Sequence, residues 1–243
     1  MERVAIILRS TAISVLLALS GCSPAADNAL AVAAGAAPAA SQASAAAHAV
    51  EPPVSVQRPE PAKPAQQPQA AALPYRADLT RTARAVWGLE APVPVFAAQI
   101  HQESGWRADA VSPVGALGLA QIMPATAKWI ATVDPQLAGA QPYNPAWAMR
   151  AMVVYDQNLY GQAPARYTPR ERMWVALRGY NGGIGHWRNE AQATGLSAPT
   201  REQVDAACGK ASRSVKHCAE NLGYPKRILV DYQPRYAAWG PML

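Results

Sequence analysis

The chain has 243 residues, half of them hydrophobic, and a net charge of +6. It shows no Gly-X-Y period, long heptad run or 18-residue apolar run, which excludes collagen, coiled coil and a multi-pass membrane protein. The basic excess suits an anionic polymer, nucleic acid or carboxylate-bearing, but scattered Arg on solvated helix faces explains it as well, and no nucleic-acid-binding motif accompanies it.

Met1 to Cys22 reads as an export signal. Arg3 and Arg9 give a positive start, and an apolar stretch from Thr11 to Leu19 is too short to span a bilayer. Leu19-Ser20-Gly21-Cys22 resembles the lipobox of bacterial lipoproteins. That resemblance implies lipidation of Cys22, and Ser23 after it implies the periplasmic side of the outer membrane. Cleavage without lipidation would instead leave the protein in the periplasm.

From Ser23 to Pro74, 20 of 52 residues are Ala, nine are Pro and none is aromatic. Ala and Pro cannot build a core, so residues 23–74 are expected to form a disordered linker. All 17 aromatic residues lie between Tyr75 and Trp239. The folded domain is therefore expected to cover residues 75–243, enough for one buried core.

Helical signals dominate that region. A first helix is expected over Asp78 to Trp87, and a second from Val93 to Ser104, stopped by Gly105 as a left-handed cap. Ser112 to Ile122, with Gly115 and Gly118, reads as a turn-rich loop or small hairpin. Pro124 opens a short helix through Ile130. Asn144 caps another, with Pro145 at its first position, running to Tyr160. Thr168 to Glu171 is a capping box, and its helix ends before Asn181-Gly182-Gly183. Thr200 to Gln203 is a second capping box, opening a helix toward Cys208. Tyr224-Pro225 begins the last helix, through Tyr232. The fold class is mainly α, with a little β structure near residues 115–121.

The second helix places Phe96, Ile100 and Glu103 within one apolar stripe at 100° per residue. A carboxyl there is desolvated and meets the negative end of its own helix, so its pKa rises. Such a group suits a general acid. A glutamate that snorkels or pairs with Arg107 satisfies the same geometry.

The residues that follow decide more. Glu103-Ser104-Gly105-Trp106, then Ala110 to Ala116, then Gly118 to Ala127 resemble the lytic transglycosylases of the soluble-lytic-transglycosylase type. Tyr180-Asn181-Gly182-Gly183 resembles that family's second motif, and Glu220 to Ile228 its closing motif. The resemblance implies a lysozyme-like, mostly helical α+β domain that cleaves the MurNAc–GlcNAc backbone of peptidoglycan. It makes Glu103 the single catalytic acid/base. It places Ser112, Gln121, Met123, Tyr180, Asn181, Glu220 and Tyr224 against substrate. It departs from the family at Ala120, often Met, and at Gly182, often Ala; both departures bear on the shape of the site. Trp106, Trp129, Trp147 and Trp174 are candidates for stacking on sugars, though amphipathic helices more often bury such residues.

The implied chemistry uses one carboxyl where most glycosidases use two. Glu103 protonates the glycosidic oxygen, the substrate's N-acetyl group supports the developing charge, and Glu103 then takes the proton of the C6 hydroxyl that attacks C1. A 1,6-anhydro sugar results, with no cofactor and no metal. Two alternatives remain open: a muramidase-type hydrolase using Asp109 or another acid, and a catalytically silent wall-binding module. The implied partners are glycan strands and, through a lipid, the membrane. Wall turnover, service to an envelope-spanning apparatus and phage-type lysis all fit such an activity. With Cys22 set aside, Cys208 and Cys218 remain, an even count in an oxidising compartment that favours a disulfide over two free thiols.

Overall fold

The computed structural model describes residues 67–243. The export signal, Cys22 and the linker up to residue 66 lie outside the described residues. Order begins ahead of Tyr75. Ala70–Tyr75 forms a 3₁₀ turn in which Ala72 is fully buried. Just before it, the Gln69 amide nitrogen donates to Nε2 of His101 at 2.9 Å. That leaves the ring proton on Nδ1, which donates to the Tyr236 hydroxyl at 2.9 Å. Within the segment expected as linker, Gln69 and Ala72 thus already touch the domain. Composition averages cannot see a single buried Ala or one amide–imidazole bond.

Helix α1 (Arg76–Trp87) is followed by α2 (Val93–Ser104), which stops where Gly105 turns left-handed at φ 59°. The surroundings of α2 differ from the expected apolar stripe. Every residue from Val93 to Ile100 is buried, so α2 is a central rod and not a surface helix. It packs on α1 and on the C-terminal segment. Only its last turn, His101 to Glu103, reaches half-burial.

Helix α3 (Pro124–Val133) runs three residues past Ile130. Helix α4 (Pro145–Gly161) is capped by the Asn144 side chain, which accepts from Ala146 and Trp147 backbone N–H at 3.0 and 3.4 Å. Helix α5 (Pro169–Gly182) carries the expected capping box but continues through Asn181 and Gly182. After Gly183 alone, an unexpected helix α6 (Ile184–Ala193) follows. The glycines around it resemble a turn, yet its Trp187 supplies the burial that holds it. Helix α7 (Arg201–Ala206) uses the second capping box.

Helix α8 (Cys218–Lys226) starts well before Tyr224, and Pro225 lies inside it. Proline has no N–H for the helical ladder. The register then loosens to a π turn over Arg227–Tyr232 and tightens to 3₁₀ over Gln233–Trp239. The expected β structure is reduced to two isolated antiparallel bridges, Val111–Leu117 and Leu117–Ile122. Gly118 lies between the bridged positions at φ 70°, where an added Cβ would sit 1.9 Å from the Pro142 carbonyl oxygen, so the close approach requires glycine.

The main core gathers Phe96, Ile100, Leu119, Ile130, Met149, Met152, Leu177, Tyr224 and Tyr236. A smaller one joins α5, α6 and α7 through Tyr167, Val175, Trp187 and Val204. Trp106 and Trp147 are buried, Trp174 is half-buried, and Trp129 is exposed.

Cys208 and Cys218 form a disulfide with Cα atoms 5.9 Å apart, tying the end of α7 to the start of α8. The loop between them is anchored less by apolar contacts than by Arg213, whose Nε donates to Glu190 at 2.7 Å. Reduction is expected to lower stability by roughly 3 kcal/mol, the chain-entropy value for so short a loop. Activity should fall with it, since α8 carries Glu220 and Tyr224. Thermal melts with and without reductant, paired with activity assays, check this; an unchanged melting temperature would refute it.

Candidate functional site

Glu103 sits where α2 leaves the core. Its Oε1 accepts a hydrogen bond from the buried Tyr224 hydroxyl on α8. Burial is the largest influence on this carboxyl and pushes it up to about 7 from an ordinary 4.5. The Tyr224 bond and the Arg227 charge pull it down, while the charge of Glu220 pushes it up. At neutral pH the group is therefore poised between acid and base forms. Burial and the Glu103 charge drive the Tyr224 hydroxyl well above its ordinary range. Tyr224 accordingly remains a neutral donor.

Tyr180, on α5, has its hydroxyl raised by burial and then by Glu103. It donates to the Ala120 carbonyl at 2.7 Å, clamping the bridged loop to α5. Within that loop Ser112 Oγ accepts from the Ala116 N–H at 2.9 Å. Gln121 Nε2 donates to the carbonyls of Gly118 and Ala110, at 2.9 and 3.1 Å. Both side chains brace the loop, and the Gln121 carbonyl is left over. Met123 follows with 42% of its surface exposed.

Glu220 is exposed and pairs with Arg227 at 2.7 Å. Arg227 Nε also donates to Gln102 at 3.1 Å. Asn181 is exposed, its Oδ1 accepting from Asn221 Nδ2 at 3.0 Å. The structure thus brings Glu103, Tyr180 and Tyr224 together, with Glu220 close enough to bias the acid. Asn181 belongs to this side of the molecule through Asn221. Among the described residues no group of three or more His, Cys, Asp or Glu could hold a metal ion.

Two polar features escaped the sequence reading. Asn221 is buried and also donates to the Arg178 carbonyl at 2.9 Å, while accepting from Arg178 Nε at 2.9 Å. Fully buried Arg178 then bonds Glu190 at 2.5 Å and Asp205 at 2.8 Å. This network explains Gly182: an added Cβ would lie 2.3 Å from Arg213 Nη1 and 2.6 Å from Asn221 Nδ2. The second feature is Asp156 on α4, fully buried against Gln99 of α2. Gln99 Nε2 donates to its Oδ1 at 3.4 Å, while Asp156 Oδ2 and Gln99 Oε1 both lack partners. Burial, then the charge of Glu103, pushes Asp156 well above the usual carboxylate range, against the bond from Gln99. In its protonated form, which burial favours, Asp156 has an O–H to donate, and Gln99 Oε1 is an acceptor in want of one.

These features define a lysozyme-like helical domain that presents a single poised carboxyl at the end of its central helix. Residues 83–200 match the family model described as Transglycosylase SLT domain. The chain is 35% identical over 92 residues to membrane-bound lytic murein transglycosylase F of Maricaulis maris, covering 38% of this chain and 19% of that protein. It is 34% identical over 100 residues to the protein of the same name from Yersinia enterocolitica, covering 41% and 19%. The 70-kDa soluble lytic transglycosylase of Escherichia coli superposes with TM-score 0.51 at 26% identity, covering 68% of this chain and 25% of that one. A complex of the 70-kDa soluble lytic transglycosylase with bulgecin A gives TM-score 0.52 at 25% identity, covering 71% and 25%. Over residues 83–200 the chain is thus similar to the transglycosylase SLT domain. The chain spans about a fifth of the length of the curated relatives it matches.

Both raised carboxyls link stability to pH. Each folded pKa lies above its unfolded value, so the stability each contributes is full at low pH and is lost as pH rises. For Glu103 the loss runs from about 4.5 to about 7. Glu103→Gln and Asp156→Asn cannot ionise and escape it. Both variants are expected to match wild type in melting temperature near pH 4 and to exceed it by a margin that grows with pH. Melts across pH 4–8 check this, and parallel curves would refute it.

Proposed function

We propose that this protein is a peptidoglycan lytic transglycosylase in which Glu103 is the only catalytic acid/base. The observation that carries the reading is the Glu103 carboxyl, buried, bonded by Tyr224 and raised to about 7, within a chain similar to the transglycosylase SLT domain. The protonated acid donates to the glycosidic oxygen between MurNAc and GlcNAc. The substrate's N-acetyl group supports the charge at C1. The resulting carboxylate, still held by Tyr224, removes the proton from the C6 hydroxyl as that oxygen bonds C1. Bonds and protons balance without water, and the product is a 1,6-anhydro end.

Gln121, Met123, Tyr180, Asn181 and Glu220 border the substrate in this reading. Ser112 acts through the loop it braces. The hydrolase alternative gains no support from Asp109, which is exposed and is not among the groups that shift Glu103. Mass spectrometry of muropeptides released from purified sacculi tests the reading directly. Anhydro ends are expected, and reducing ends would convert the assignment to a hydrolase. Glu103→Gln keeps the bond from Tyr224 but cannot donate the proton, so activity should fall by roughly 10² to 10⁴. Full activity in a folded Glu103→Gln protein would overturn the role of Glu103.

The reading extends to location. Cys22 is lipidated, and the Ala/Pro-rich segment spans from the periplasmic face of the outer membrane to the wall. The lipobox order supports this, as do relatives named membrane-bound. Palmitate labelling of the wild type, lost in Cys22→Ser, is the expected result; a label-free wild type would show that the signal is only cleaved.

A further inference from the structure

From Val93 to Ile100 helix α2 buries one polar side chain, Gln99. It stands four residues before Glu103, on the same face of the helix and one turn further into the core. Its partner is Asp156 on α4, and neither side chain reaches solvent. Around Gln99 the face of α2 carries small residues such as Ala97 and Ala98, whose packing has little directional preference. A hydrogen bond is directional, so one made here sets both the rotation and the height of the helix.

As it stands the pair is half made. Gln99 Nε2 donates to Asp156 Oδ1 at 3.4 Å, which leaves Asp156 Oδ2 and Gln99 Oε1 as two buried acceptors without a donor. A proton on the carboxyl supplies the missing donor and makes the pair reciprocal. The surroundings favour that proton. The titratable groups around Asp156 are Glu103 on α2, Tyr180 on α5, Tyr224 on α8 and Tyr155 beside it on α4, all of them acids. No cation is among the groups that act on it. A buried polar pair adds little stability over leucines of similar volume, so its use lies in specifying position.

We propose that Asp156 is a positioning residue for Glu103: as a neutral acid paired with Gln99, it fixes the rotation and height of α2 one turn before the acid, and it gives no proton to substrate. The inference rests on the transglycosylase reading and adds to it a second carboxyl, one that acts only through α2.

The test compares full-length Asp156→Asn, Asp156→Leu and the double variant Gln99→Leu/Asp156→Leu on soluble GlcNAc–MurNAc oligosaccharides. Asn offers an N–H where the acid offers an O–H, so Asp156→Asn should keep the rate within about threefold. Asp156→Leu orphans Gln99 and should lower kcat roughly ten- to a hundredfold with KM little changed, because a displaced acid loses rate before it loses binding. The double variant removes the orphan and should restore the melting temperature but not kcat, whereas a merely structural pair would restore both. It also carries the test if Asp156→Leu does not fold. A readout independent of turnover is the titration of the Glu103 carboxyl, followed by carbon NMR and assigned with Glu103→Gln. It should stay at about 7 in Asp156→Asn and move down toward 4.5 in the double variant, where a loosened turn admits water. Wild-type kcat in the double variant would overturn the proposal. So would an inactive but folded Asp156→Asn protein, which would make the Asp156 proton part of the chemistry. Failure of the transglycosylase reading shows separately, as a wild type that leaves the oligosaccharides uncut while the Glu103 titration still moves in the double variant.

Discussion

The chemistry of the candidate site depends on the burial of one carboxyl. Helix α2 is enclosed from Val93 to Ile100, and a helix in that position delivers its last turn wherever the surrounding elements leave an opening. Gly105 ends α2 two residues after Glu103, so the acid reaches the surface without leaving the apolar shell. Desolvation then favours the protonated form more than any neighbour opposes it.

The supporting elements divide the work. Around α8 the task falls to ionic groups. Arg178 and Glu190 are buried with charged partners, and Arg213 closes on Glu190 from the disulfide loop. Such a network adds little net stability, because desolvation offsets most of the attraction. Its bonds are directional, however, and Asn221 converts them into a fixed spacing between α5 and α8. On the other side, Tyr180 and its bond to Ala120 hold the bridged loop. The last turn of α2 is thus positioned by hydrogen bonds on both flanks, while the apolar core supplies the cohesion.

Local chemistry made much of this legible. The capping residues Asn144, Thr168 and Thr200 mark helix starts because each satisfies donors that the helix itself cannot. Gly105 marks a stop for a comparable reason. The motif residues Glu103, Tyr180 and Tyr224 converge as the family resemblance implies. What stayed hidden depends on distant partners. Helix α6 begins among glycines and is held by Trp187 against Val204 and Tyr167, a contact no local window contains. Asp156 and Gln99, 57 residues apart, read separately as ordinary polar positions on two helices. The wheel of α2 was also misleading: its apolar stripe was real, but the remaining face holds Ala97, Ala98 and Gln99, small or paired, and so is buried too. Ser112 and Gln121 are suited by type to bind sugar, yet their nearest bonding partners are their own loop.

The choice of partner for Glu103 completes the logic. An arginine bonded to this carboxyl would hold it ionised and remove the acid. A tyrosine fixes the same oxygen without adding charge, and its own pKa, raised by burial and by Glu103, keeps the proton on the phenol. A cation does stand nearby, Arg227, but it is engaged by Glu220 at 2.7 Å and by Gln102 at 3.1 Å. Glu220 acts twice in this arrangement. Its charge raises the Glu103 carboxyl directly, and it pairs with Arg227 at 2.7 Å. The closing motif therefore joins two residues with complementary effects, Tyr224 bonding the acid without adding charge and Glu220 opposing the pull of the neighbouring Arg227.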